Sequence, residues 1–265
     1  MTSFKTALVT GGAGFIGRHL VALLVKKGCR VTVLDPGAIQ NMFPKGVNVI
    51  KGSILDDKAL AEAFIGVDVV FHLAALSHLW ARDKKQFERI NVEGTAAVLK
   101  AAKAAGVGKI VVTSTETVLR SWANNNPFPI TEQEPTPDVE DMAGPYTRSK
   151  LKAANLVRAA SSGGLPVVQV FPTVPVGPGD FGLTAPTKMI LDFVTGKTPA
   201  YFNALLNFVA VEDVAQGHYL AAERGMPGEE FILGGENHTM SRFLEMLEDV
   251  SKVKMPKRKV PYQLA

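Results

Sequence analysis

Thr10-Gly11-Gly12-Ala13-Gly14-Phe15-Ile16-Gly17 is the stretch from which the fold is read. Glycines recur at three-residue spacing between the apolar run Thr6 to Thr10 and a helical pattern from Ile16 to Lys27. Gly11 permits a tight turn, Gly14 lets the backbone approach a pyrophosphate at the positive helix N-terminus, and Gly17 lets the helix pack closely on the strand. After a turn at Gly28, the largely β-branched run Val31 to Leu34 supplies a second strand that ends at Asp35, eighteen residues past Gly17. A carboxylate there accepts hydrogen bonds from adenosine ribose hydroxyls and repels a 2′-phosphate. The pattern predicts a dinucleotide-binding turn that favours NAD over NADP. Arg18, a cation just past the last glycine, keeps NADP as the alternative.

The alternation continues outward from this unit. Strand patterns at Val47 to Lys51, Val67 to Leu73, Lys109 to Ser114 and Pro166 to Phe171 are separated by helical patterns at Lys58 to Phe64, Lys84 to Ala105 and Pro145 to Ser161. Bare apolar runs between amphipathic helices predict an α/β fold, a doubly wound parallel sheet covered on both faces. Between Arg120 and Pro145, the asparagines 124–126, several prolines and several acids make a long polar loop that does not read as core. Beyond Pro172 the helices shorten. The division expected is a dinucleotide-binding domain over 1–171 and a smaller substrate-binding region over 172–265, interleaved by a strand near 208–211 that returns to the main sheet.

With 46% apolar residues, a chain of 265 residues can bury a sizeable core, which excludes a disordered or fibrous protein. Cys29 is the single cysteine, no secretory pattern precedes the glycines, and no window approaches a membrane span. A reducing, cytoplasmic compartment is expected, with no integral-membrane role. Lys and Arg number 29 against 25 Asp and Glu, yet Lys252, Lys254, Lys257, Arg258 and Lys259 supply five, leaving 24 against 25 elsewhere. This basic tail lacks the aromatics of a nucleic-acid stacking surface and reads as a solvated terminal segment, so no nucleic-acid partner is expected. The histidines share no metal-ligand spacing with one another or with Cys29, and no metal is expected.

Tyr146 and Lys150 stand i and i+4 on one helix face. An ammonium beside a phenol lowers its pKa, so Tyr146 is expected to give or take a proton at a carbonyl or alcohol oxygen. Ser114-Thr115 ends an apolar strand at the edge where ligands bind in open parallel sheets, and Thr115 can donate a second hydrogen bond to the same oxygen.

These features, with Phe71-His72-Leu73-Ala74-Ala75, Asn91-Val92-Glu93-Gly94-Thr95, Tyr146-Thr147-Arg148-Ser149-Lys150 and Gly177-Pro178-Gly179, resemble the ordered motifs of extended short-chain dehydrogenases/reductases. That superfamily holds the NAD-dependent epimerases and dehydratases, and the resemblance runs from residue 7 to about 235. The stretches 144–150, 172–180 and 232–237 are similar to the branch labelled hopanoid-associated sugar epimerases, which also resembles dihydroflavonol reductases. The resemblance implies a Rossmann fold in which Tyr146 is the acid/base, Lys150 its electrostatic partner that also holds the nicotinamide ribose, and Thr115 the donor to the substrate oxygen. It places Gly11, Gly14, Phe15, Ile16, Gly17, Asp35, Ser53, Ile54, Leu73, Ala74, Ala75, Thr113, Tyr146, Lys150, Pro172 and Val174 around the cofactor. It also implies a homodimer through the helices at about 84–105 and 146–160, and some tens of further residues in members of this type.

Three departures bear on chemistry. Ser53 stands where the family usually has an aspartate beside the adenine. Thr115 is followed by Glu116 and Thr117, where dehydratases have Asp and Glu, so one of the two carboxylates for elimination is missing and Glu116 reads as an exposed loop residue. Phe171 and Val174 replace the Arg and Asn common in nucleotide-sugar enzymes, which weakens discrimination for a polar or anionic ligand. The expected substrate site comprises Leu76, Trp80, Glu116, Trp122, Thr173, Met189 and Tyr201, with Leu79, Phe193 and Phe202 nearby, and its large apolar side chains suit a lipophilic carbonyl compound.

The function expected is therefore an NAD(P)-dependent oxidoreductase that moves a hydride between nicotinamide and a carbonyl or secondary alcohol of a hydrophobic small molecule. The alternatives are a sugar epimerase or dehydratase working by transient oxidation, and a non-catalytic dinucleotide-binding regulator.

Overall fold

The computed structural model describes residues 4–78, 80–121, 123 and 129–261. In chain order the first half runs β1 (Thr6–Thr10), α1 (Phe15–Lys26), β2 (Arg30–Leu34), β3 (Asn48–Ile50), α2 (Asp57–Ala63), β4 (Val69–His72), α3 (Lys85–Phe87), α4 (Gly94–Ala105), β5 (Lys109–Thr113), α5 (Pro145–Ser162) and β6 (Val167–Pro172). The second half adds β7 (Val174–Val176), α6 (Ala185–Val194), β8 (Ala200–Tyr201), β9 (Leu205–Ala210), α7 (Val211–Arg224), β10 (Glu230–Leu233), β11 (Glu236–Thr239), α8 (Met240–Ser251) and β12 (Arg258–Lys259).

Seven strands form one parallel sheet in the order β10-β6-β5-β4-β1-β2-β3. The strand pattern explains why both faces are covered. Val9, Val33, Phe71 and Val111 point to one side and pack under α1 and α7 through Leu20, Leu24, Ala215 and Tyr219. Their neighbours Leu8, Leu34, Val70 and Ile110 point to the other and meet Leu60, Val98, Ala102 and Val157 from α2, α4 and α5. Burial of Gly17, Leu20, Val21 and Leu24 gives α1 its i, i+3, i+4, i+7 stripe. The order of β1 changes direction between β4 and β2, which opens a crevice at the C-terminal ends of these strands.

Two expectations change. The strand near 208–211 does not join the main sheet: β9 pairs with β7 and β11 in a separate three-stranded sheet. The strand that returns is β10, where Glu230 to Leu233 pair with Gln169 to Pro172. Partial polarity hid it, since Glu230 looks like a loop residue until its carboxylate is seen on Arg158, at 2.7 Å from Nε. The helix expected over 84–105 contains a π-helical turn, Glu88–Glu93, between α3 and α4. The basic tail keeps Lys252, Lys254, Lys257, Arg258 and Lys259 exposed to solvent, as expected, while Val253 and Met255 pack beside Phe243 and Leu244 and Arg258–Lys259 run parallel to Ala200–Tyr201.

The described parts of the polar loop are also packed. Ile130, Val139 and Met142 close over Leu119, Leu151 and Phe171, and Glu132 accepts from the Ile232 amide at 2.8 Å. The loop thus bridges α5 and β10. Among the described residues, no helix is long and apolar enough to cross a membrane.

Candidate active site

At the glycine turn, a Cβ on Gly11 (φ +73°) would lie 2.5 Å from the Ala74 nitrogen, and one on Gly17 would lie 2.4 Å from the Gly11 oxygen. Both are barred by backbone. Gly12, to which the sequence reading gave no role, would strike Val33 at 2.8 Å. Gly14 differs: its Cβ would meet only the Gly11 oxygen, at 3.2 Å, so the space over it is left for something other than protein. Gly14 provides no side-chain cap to α1, whose first turn holds no acid. The amides of Phe15, Ile16 and Gly17 are the donors that a helix start leaves without partners inside the helix. Asp35 faces this turn, accepting from Ala13 N at 3.2 Å and Gly37 N at 2.7 Å. An amide-lined cradle beside a fixed carboxylate fits the pyrophosphate and ribose of a dinucleotide. The other cation considered, Arg18, lies 4.4 Å over the ring of Phe181.

The remaining residues assigned to the cofactor fall around this crevice or support it. Leu73 and Ala74 form the backbone wall against Gly11, and Ala75 leads to Leu76, whose amide donates to Asn91 at 2.7 Å. Ser53 spends its hydroxyl on Leu55 N at 3.1 Å, in the turn that precedes the Asp56 cap of α2. Ile54 is buried against Gly94, where a Cβ would collide with its side chain at 2.4 Å. Pro172 ends β6, and Val174 begins β7 and packs on the apolar cluster of the C-terminal region.

Thr115 is buried just past β5 and caps a short 3-10 turn, Glu116–Val118. Its hydroxyl donates to Glu116 Oε2 at 2.9 Å. Glu116 is half-buried, contrary to the exposed loop residue expected, and burial pushes its carboxyl above the usual range. Tyr146, near the start of α5, stands edge-on to Phe87 with ring centres 6.4 Å apart. Burial, then the Glu116 charge, push its phenol up to about 12, opposed by hydrogen bonding with Thr115, which shares its one hydroxyl hydrogen between the two neighbours. The expected lowering by Lys150 is therefore corrected. Lys150 Nζ donates to the Thr113 carbonyl at 2.9 Å, and burial brings its own pKa down to about 8. Thr113 is held in turn: its hydroxyl lies 2.7 Å from His218 Nε2, while His218 Nδ1 donates to the Val214 carbonyl at 2.7 Å. Ser114 Oγ is buried without a hydrogen-bond partner among the described residues.

A buried chain of polar groups links the glycine turn to Tyr146. Thr10 Oγ1 lies 2.8 Å from His72 Nδ1, His72 Nε2 lies 3.0 Å from Thr95 Oγ1, and Thr95 donates to the Asn91 carbonyl at 2.7 Å. Because a carbonyl only accepts, Thr95 must accept from Nε2–H and Thr10 must donate to Nδ1. Asn91 Nδ2 donates to Ser149 Oγ at 2.9 Å, and Ser149 donates to the Tyr146 carbonyl at 2.7 Å. Asn91 and Ser149 were quoted as motif residues and given no role. The available signal was polarity at the wrong place: Phe87, Asn91, Thr95 and Val98 share one helix face, where the flanking residues are core.

The expected substrate residues do not gather equally. Met189, Phe193 and Tyr201 pack with Phe208, Phe243 and Leu244, and the Phe208 and Phe243 rings stack at 4.1 Å. Thr173 commits its hydroxyl to Asn207 Oδ1 at 2.9 Å. Trp80 is 70% exposed and Phe202 is also open to solvent. Leu79 and Trp122 lie outside the described residues. Among the described residues, no group of three His, Cys, Asp or Glu is arranged to hold a metal ion.

Fold and cradle together define a Rossmann-type dinucleotide-binding protein. The sequence pattern of the NAD dependent epimerase/dehydratase family matches residues 7–234. The chain belongs to that family. It is 34% identical over 265 residues to a putative dihydroflavonol 4-reductase from Synechocystis, covering 97% of this chain and 75% of that protein. It is 34% identical to the 4-hydroxy-2-methyl-3-oxo-4-farnesyl-3,4-dihydroquinoline-1-oxide ketoreductase of Stigmatella aurantiaca, covering 97% and 76%. The crystal structure of Thermus thermophilus UDP-glucose 4-epimerase with NAD superposes with a TM-score of 0.83 at 26% identity, covering 97% of this chain and 86% of that one.

Proposed function

We propose that this protein is an NAD-dependent oxidoreductase that reduces the carbonyl group of a hydrophobic small molecule. The observation that carries this reading is the convergence of Tyr146 and Thr115 beside an anchored Lys150, at the strand ends next to the dinucleotide cradle. A nicotinamide held in the cradle would supply the hydride for the carbonyl carbon. Tyr146 is protonated at neutral pH, as a tyrosine ordinarily is, and would give its proton to the carbonyl oxygen as charge develops there, against a pKa that is pushed up to about 12. Thr115 holds that oxygen from a second side, and Lys150, anchored on the Thr113 carbonyl, would hold the nicotinamide ribose. Asp35 selects NAD by receiving the ribose hydroxyls, while Arg18 is engaged by Phe181.

A hydrophobic substrate is favoured by fully buried Phe171 and apolar Val174 in place of polar anchors, and by the farnesyl-bearing substrate in the name of the Stigmatella relative. The epimerase alternative uses the same groups for oxidation and re-reduction of one bound sugar, in keeping with the Thermus structure. Net use of NADH separates the two. A homodimer through α3–α4 and α5 is part of the proposal; exposed Leu156 and the Lys152–Glu88 pair, at 3.1 Å, lie on those helices.

The test is a panel containing a 2-alkyl-3-oxo ester, an aryl alkyl ketone, a flat polycyclic ketone and a nucleotide sugar, followed by NADH absorbance. Stoichiometric NADH loss with a ketone and none with the nucleotide sugar is expected. Conversion of the sugar without NADH loss would overturn the reading in favour of the epimerase.

A further inference from the structure

Thr115 has one hydroxyl hydrogen and three neighbours that could take it: Glu116 Oε2 at 2.9 Å, the Thr117 hydroxyl and the Tyr146 phenol; an ionised Glu116 can only accept and holds the hydrogen. With its hydrogen on Glu116, Thr115 accepts from the Thr117 amide at 3.4 Å, and the Thr117 hydroxyl lies 3.2 Å away. A threonine in this state accepts hydrogen bonds and has none to give to a substrate oxygen. We propose that Glu116 is a proton-state switch for Thr115: its acid form frees the threonine hydrogen for a carbonyl oxygen, and its carboxylate form takes that hydrogen for itself. This rests on the reductase reading given above.

The geometry requires both arrangements to be possible without movement. When Glu116 carries the proton, its own O–H donates to Thr115 Oγ1 across the same short contact, and the hydroxyl hydrogen of Thr115 turns outward. When Glu116 is ionised, the contact reverses its donor and acceptor. Neither form exchanges material with the reaction, since the proton delivered to substrate comes from Tyr146 and the carboxyl proton stays on Glu116. The turn that carries Glu116 packs on α5, whose titratable groups are Tyr146, Arg148, Lys150, Lys152 and Arg158, and the Glu116 charge acts on Tyr146. Lys150 donates to the Thr113 carbonyl, and the hydrogen bonds that favour the Glu116 carboxylate come from Thr115, Thr117 and its own backbone. Burial favours the acid form of Glu116, which places the switch above the ordinary carboxylate range. The expected direction follows: carbonyl reduction is supported while Glu116 is protonated and weakens as pH rises through its pKa. Glu116 is thus a positioning residue acting through Thr115.

The experiment measures kcat/KM against pH for wild type, Glu116→Gln and Thr115→Val, using the ketone turned over in the panel above. The Gln amide matches the carboxyl in shape and donates permanently to Thr115 Oγ1. In the wild type, kcat/KM is expected to fall about ten-fold across the acidic limb, the worth of one hydrogen bond. Glu116→Gln should keep the low-pH value with that limb gone, and Thr115→Val should sit about ten-fold lower with no limb. The same limb in Glu116→Gln as in wild type would overturn the switch. Tyr146→Phe distinguishes the levels: if it is inactive while Glu116→Gln follows the wild-type profile, the switch alone fails. If Tyr146→Phe retains full turnover, or no ketone is reduced, the reductase reading fails and the switch with it.

Discussion

Burial brings Lys150 down to about 8, so its charge is present below that pH and lost above it. A mechanism that needs the ammonium therefore loses rate as pH rises through about 8. In Lys150→Met no such alkaline limb is expected, and the rate should be about 100-fold lower; pH–rate profiles check both. The residue scale is also where sequence reading was most uneven. That Tyr146 and Thr115 come within hydrogen-bond reach of each other was legible from spacing and position. The direction of the Tyr146 shift was not, because burial of the phenol sets it first and the Glu116 charge second, and neither burial can be read from residue type. Likewise nothing in the string Val111 to Thr115 reveals that Thr113 is held by His218 from a helix 105 residues further on.

The turn-and-helix unit at the start of the chain separates folding from binding at two neighbouring glycines. Gly17→Ala drives a methyl into the Gly11 oxygen at 2.4 Å and Gly12 Cα at 2.8 Å, both backbone, so α1 cannot keep its seat. A stability loss of about 1–3 kcal/mol is expected in denaturant titrations, together with weaker NAD binding. Gly14→Ala meets only one atom, at 3.2 Å, and should stay within about 1 kcal/mol of wild type while losing NAD affinity by calorimetry. Elements with strict periodicity, such as β1, α1 and β5, fell within one residue of their expected bounds. The exceptions share a physical cause. The π turn at Glu88–Glu93 leaves no mark in an apolar pattern, and β10 follows Gly228 and Glu229 with a polar first residue paired far away in sequence.

Across the whole molecule, two buried neutral histidines link stability to pH. His72 and His218 have ordinary values near 6.5 in the unfolded chain but are pushed down to about 3 and about 4 when folded. Burial is the main cause in each case. Below about pH 6.5 the unfolded state takes up protons that the folded state refuses, so stability is full above that pH and falls below it. Each histidine removes up to about 1.4 kcal/mol per pH unit in that window. Urea denaturation at pH 5 and pH 8 should show this loss, and His218→Gln should have about half the wild-type slope. The parallel sheet and its dinucleotide turn were legible because one alternating pattern repeats along the chain. The C-terminal region was less so, since β7, β9 and β11 form their own small sheet from pairings between distant segments. The most direct measurement of the central claim uses NADH deuterated at nicotinamide C4, with the reduced ketone analysed by mass spectrometry. One deuterium per NADH consumed is expected, with Tyr146→Phe slowed about 100-fold or more while NADH binding is unchanged. Substrate turnover without net NADH oxidation, or a Tyr146→Phe enzyme working at the wild-type rate, would contradict it.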